Sequence, residues 1–182
     1  SMYYKSKNVN KIEYSKLLSA SLAYLILKQQ DAIGLTLFDN KIRNNVTPKS
    51  KKNHINIILS AINNISNQYH NTNIADNLHK IAEGIKKKGL IILISDLFDK
   101  KEDVISSLKH FRYKGHEVIV FHILDEQELN LDFDKPTKFQ DMETNKEIIT
   151  EPWHIKKDYQ NKIHSFCNFF KNECRKNQID YI

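Results

Sequence analysis

The sequence predicts an α/β fold: a doubly wound, mostly parallel sheet with helices on both faces. Three observations carry this. Residues 90–94 and 117–124 are apolar almost without interruption, as strands covered on both faces are. Segments with apolar residues at helical spacing alternate with them along the chain. The composition, 40% hydrophobic and 27% charged with only 4 Gly and 3 Pro among 182 residues, is that of one folded domain rather than of a linker-rich chain.

The elements follow in order. Residues 11–30 place Ile12, Leu18, Leu22, Leu25 and Ile26 at helical spacings, which predicts an amphipathic helix with a wide buried face. Residues 32–38 are a short apolar run with Gly34 and Thr36. After Asp39-Asn40 a weaker alternating run over 41–47 ends at Pro48, so a two-stranded hairpin is expected. Two helices are predicted over 54–65, from Ile55, Ile58, Leu59 and Ile62, and over 74–87, from Leu78, Ile81, Ala82 and Ile85, with the polar loop 66–73 between them. The buried strand 90–94 leads directly into Ser95-Asp96. A helix over 103–114 stops at Gly115, and the second buried strand, 117–124, ends at Asp125. Residues 129–150 lack a helical period and contain Pro136 and a polar turn near Thr144-Asn145-Lys146, so a strand-rich excursion is expected. A long helix over 153–177 follows, and 179–182 begin another strand.

An open α/β sheet normally begins with a strand, whereas here a helix comes first and the last run stops inside a strand. The expectation is a single domain over residues 1–182, part of a longer chain, with the first central strand missing. An unfilled place in a sheet exposes unpaired N–H and C=O groups, so a homodimer, a strand exchange or a substitute strand is expected to fill it.

Several function classes recede on composition. The longest apolar stretches, such as 22–27 and 90–94, fall short of the ~20 residues that cross a bilayer, and the start does not read as a signal peptide. No membrane segment is expected in this part of the chain, and the location expected is cytoplasmic. Cys167 and Cys174 lie about 10 Å apart along a predicted helix, beyond the ~7 Å reach of a disulfide, and read as buried thiols of a reducing compartment. The net charge of +6 is spread as Lys among many Asn and Ile. Its densest runs, 49–52 and 86–88, fall in a loop and at a helix end, where Lys is favoured by the dipole. That reads as a solvated face, and nucleic acid is not an expected partner.

In open parallel sheets, ligands sit beyond the C-terminal ends of the strands. The groups placed there are Ser95, Asp96, Asp125 and the loop carrying Thr72, with Ser1 if a strand precedes it. Hydroxyls with a carboxylate make a hard oxygen site suited to Mg2+. The plainer reading is that Asp96 closes a strand and Thr72 caps a helix. The histidines show no metal-ligand spacing, and no Gly-rich phosphate loop exists. His122 reads as a hydrogen-bonded core residue rather than a base, and Trp153 as an anchor for the long helix.

The order of elements resembles the von Willebrand factor A domain and, more closely, the bacterial family called domain of unknown function 58. The stretches that carry the resemblance are Lys11-Ile12-Glu13-Tyr14, residues 30–35, Thr72-Asn73-Ile74, residues 93–97, residues 115–125 and Phe139-Gln140-Asp141-Met142-Glu143-Thr144. In such domains a metal-ion-dependent adhesion site takes an Asp-x-Ser-x-Ser loop after the first strand, a Thr from a later loop and an Asp after the fourth strand. The resemblance assigns Ser1 to the end of that first loop, Thr72 to the Thr and Asp96 to the Asp. The leading Asp and first Ser are absent, so Mg2+ is expected to bind weakly or not at all.

The resemblance implies a protein-interaction module that assists a MoxR-type AAA+ ATPase in a chaperone-like role, with no catalytic residues. A hydrolase or nucleotide-binding enzyme on a similar sheet, and a basic nucleic-acid scaffold, are the alternatives. The first lacks a nucleophile–base pair in the sequence, and the second predicts salt-sensitive binding.

Overall fold

The structure is a computed structural model that describes residues 2, 9–65, 73–131, 137–140, 147–150 and 152–182. Asn10 caps helix α1 (Lys11–Lys28) by accepting from the Glu13 amide, while the Glu13 carboxylate returns the bond to the Asn10 amide. The buried stripe of α1 is Lys11, Ser15, Ala23 and Leu27. This corrects the predicted face: Leu25 is exposed, and Ile12, Leu18, Leu22 and Ile26 are half-buried. On the buried side Ala23 packs in one cluster with Ile58 and Ile62 of α2 (His54–Asn63).

The hairpin forms as expected, β1 (Ile33–Phe38) against β2 (Ile42–Lys49), antiparallel, with a register shift between Ile33 and Leu35. Gly34 occupies that irregularity, where a Cβ would stand 2.7 Å from the Val46 carbonyl oxygen. Pro48 lies inside β2 rather than ending it, beside Gly34 at the irregularity of the ladder, where a missing N–H is tolerated. The buried His54 ring meets the Ile33 carbonyl through Nε2 at 3.0 Å and ties α2 to the hairpin.

The parallel part of the fold is the three-stranded sheet β3 (Leu90–Ser95), β4 (Glu117–His122) and β7 (Asp180–Tyr181), in the order β3-β4-β7. Ile91 pairs with Val118 and Leu93 with Val120, so these side chains share one face. That face packs under α3 (Ile74–Gly84), α4 (Lys101–Tyr113) and α6 (Pro152–Lys176), through Leu78, Val104, Leu108, Phe111 and Phe170. On the other face Ile92, Ile94, Ile119 and Phe121 are only half-buried. Among the described residues the first face is the more deeply buried of the two. Among the described residues no strand pairs with the free edge of β3.

Within the predicted excursion the described parts are a short helix, α5 (Glu126–Asn130), and an antiparallel pair, β5 (Thr137–Gln140) with β6 (Glu147–Thr150). The helix was not foreseen; five residues are too short for a period to show. The side chain of Trp153 lies outside what is described.

Candidate functional site

The C-terminal ends of β3 and β4 converge on one buried ionic cluster. Strand β3 delivers Asp96, which is 3% exposed. The backbone then turns sharply: Leu97 adopts φ 56°, in the left-handed region, and its amide donates to Ser95 Oγ at 3.1 Å. Leu97 is fully buried, so packing holds an L-residue in a conformation it otherwise avoids. Past β4, Asp125 caps α5 by accepting from the Gln127 amide at 2.8 Å, and Glu128 Oε2 accepts from the Asp125 amide at 2.9 Å.

Between these two loops lies the ammonium of Lys11. Its Nζ donates to Asp96 Oδ2 at 3.1 Å and to Glu128 Oε1 at 2.8 Å, and it stands 5.2 Å from the centroid of the Phe98 ring. The side chains of Lys11 and Asp96 are 2% and 4% exposed, so the pair is screened from solvent. Both oxygens of Glu128 are engaged, one by the ammonium and the other by an amide, which ties α5 to the first turn of α1.

Two further groups brace the Asp96 loop. The Asp96 carbonyl lies 3.0 Å from His122 Nε2, and a carbonyl can only accept, so Nε2 carries the proton. His122 Nδ1 is then the acceptor for the Tyr181 hydroxyl. Burial holds the His122 imidazole below its ordinary pKa, against the raising effects of the Asp96 carbonyl and the Asp96 charge. His122 is thus a hydrogen-bonded structural residue, as expected. Asp99 Oδ2 accepts from the Ile74 amide at 2.8 Å, and Asn77 donates to the Asp39 and Asn73 carbonyls. The start of α3 is thereby pinned to the loop that follows Asp96.

Of the three residues assigned to a metal, Asp96 is where the sequence placed it, just past the C-terminal end of β3. Ser1 and Thr72 lie outside the described residues; the structure fixes Asn73 and Ile74, which follow Thr72, beside the Asp96 loop. The described residues do not fit Mg2+. The Asp96 carboxylate faces a buried ammonium, and no group of three or more His, Cys, Asp or Glu among the described residues is arranged to hold a metal.

Lys11 and Glu128 were not read from the sequence as site residues. Each left a local signal. Lys11 opens a helix, where the macrodipole disfavours a cation, so its place there calls for a tertiary partner. Asp125 and Glu128 have the spacing of a capping box, which marks a helix start at the end of β4.

The fold and its ionic cluster define an α/β domain with its charged groups gathered beyond the C-terminal ends of parallel strands, an arrangement consistent with the von Willebrand factor A type. The chain belongs to the DUF58 family, described as protein of unknown function, whose family model matches residues 1–165. Among solved structures it is similar to an aerotolerance-related membrane protein from Bacteroides fragilis NCTC 9343 carrying multiple mutations to serines, at 15% identity and TM-score 0.65, covering 100% of this chain and 85% of that one. It is also similar to the conserved hypothetical protein BatB from Bacteroides thetaiotaomicron, at 16% identity and TM-score 0.59, covering 100% and 83%. No match was found among curated proteins. At these identities the likeness speaks for the fold. Among the described residues no helix is long and apolar enough to cross a membrane.

Proposed function

We propose that this DUF58 domain is a protein-interaction module, not an enzyme, with an incomplete metal-ion-dependent adhesion site. The outer face of α1 carries the reading. Tyr14, Leu17, Tyr24 and Leu25 are 51%, 68%, 59% and 54% exposed, and they fall within an arc of about 100° on the helix. A contiguous apolar and aromatic stripe of this kind is what helix-docking partners cover. The buried cluster supports the same reading from the side of chemistry. His122, the imidazole beside Asp96, has both ring nitrogens engaged, which suits bracing a loop rather than moving a proton.

The partner that the family resemblance implies is a MoxR-type AAA+ ATPase, assisted in a chaperone-like role. Ser1, Thr72 and Asp96 are the residues that resemblance assigns to Mg2+, and with the Asp96 carboxylate paired to Lys11 the ion binds in the millimolar range or not at all. The test is a calorimetric titration of the domain with the MoxR-type ATPase of the same organism. Saturable binding that is lost in a Leu17→Asp, Tyr24→Asp double variant of unchanged stability supports the proposal. Binding indifferent to that variant removes the α1 face, and turnover of an ester, phosphate or nucleotide substrate removes the non-enzymatic reading.

A further inference from the structure

We infer that the cation opposite Asp96 in this protein is its own Lys11 ammonium, and that this end of the sheet is held together without a divalent ion. The inference concerns the chain alone and stands or falls apart from the partner reading.

Lysine is almost never fully buried unless it is paired, and Lys11 is 3% exposed. Its position gives it no local reason to turn inward. It opens α1, where the exposed amides repel a cation. What draws it in is the pair of carboxylates from two separate loops, Asp96 at 3.1 Å and Glu128 at 2.8 Å. The Phe98 ring presents its face to the same ammonium. One side chain thus joins the start of α1, the loop after β3 and the helix after β4, the connection a metal ion makes when it gathers ligands from several loops.

Mg2+ and the ammonium are alternatives at this carboxylate. Mg2+ needs oxygen ligands at about 2.0–2.1 Å in near-octahedral array and retains several of its waters. An ammonium 3.1 Å from Asp96 Oδ2 fills the space those waters need, and it repels the ion across a screened, weakly polarisable interior. Mg2+ therefore reaches Asp96 only if Lys11 swings out.

The experiment is a melting curve and a calorimetric titration of the full chain in MgCl2 and in EDTA, with Lys11→Met and Asp96→Asn beside it. The unaltered chain is expected to melt at the same temperature in both and to show no saturable Mg2+ heat. Lys11→Met, left with the buried Asp96 and half-buried Glu128 carboxylates and no counter-charge, is expected to melt lower, to recover in MgCl2 and to bind Mg2+ about tenfold or more tightly than the unaltered chain. Asp96→Asn is expected to melt lower with no recovery. Stoichiometric Mg2+ binding by the unaltered chain, or a melting temperature that falls in EDTA, would overturn the inference even if neither variant folds. A folded Lys11→Met variant that ignores Mg2+ would also overturn it.

Discussion

His122 on β4 and Tyr181 on β7 share a hydrogen bond in which the tyrosine hydroxyl is the donor and the unprotonated Nδ1 the acceptor. The direction is set from the other side of the ring, because Nε2 must give its proton to the Asp96 carbonyl. The edges of the Phe166 and Phe170 rings close over the pair. Burial favours the neutral imidazole, the form for which this direction holds.

Acid should therefore loosen this end of the sheet. Burial lowers the His122 pKa from its ordinary 6.5 in the folded chain. A lowered folded value means that the unfolded chain takes up the proton first. The contribution of neutral His122 is complete above the ordinary value and is lost as pH falls through the lower folded one. Denaturant midpoints measured from about pH 7.5 down to 5 should fall, and His122→Gln should flatten that slope. A slope unchanged in the variant would show that other groups control it.

Thiol chemistry should be slow. Burial pushes the Cys174 pKa up to about 11, and burial also raises that of Cys167 despite its bond with Tyr181. At pH 8 only about one Cys174 in a thousand is thiolate. Iodoacetamide followed by mass spectrometry should modify half-buried Cys167 before Cys174, which is 0% exposed. Both should lag far behind a urea-unfolded control.

Gly34→Ala should destabilise the hairpin by about 1–3 kcal/mol, the usual cost of forcing a methyl into occupied space. The obstruction is backbone, the Val46 carbonyl oxygen at 2.7 Å, which cannot step aside as a side chain does. Gly84→Ala is the control, since a Cβ there meets nothing within 4 Å. It lies in a helix, so it should be neutral or stabilising. Chemical denaturation of both variants checks the pair.

Lys11→Ala should cost about 3–5 kcal/mol, because it leaves buried Asp96 and half-buried Glu128 without their counter-charge. Lys176→Ala removes an equally short ion pair, 2.7 Å to Glu173, yet should cost far less. The difference lies in solvent: the Lys176 side chain is 70% exposed and water replaces its partner. Equal losses in the two variants would mean that the Lys11 pair is not screened from solvent.

What the sequence determined by itself is local. Runs of apolar residues marked β3 and β4, helical spacing marked the long helices, and a turn between two alternating runs marked the β1–β2 hairpin, because each of these signals is carried by neighbours within one element. It also placed Asp96 at a strand end, since that follows from where the apolar run stops. Tertiary structure decided the rest. Which side of α1 is buried depended on where α2 packs against it, a property of two helices and not of one. How deeply each face of β3 is buried depended on which neighbours cover it, which an all-apolar run does not encode. The partnership of Lys11 with Asp96 spans 85 positions, and with Glu128 it spans 117. An ion pair is formed by distance in space and by exclusion of water, and neither is written in the order of residues until the strands and helices between them have packed.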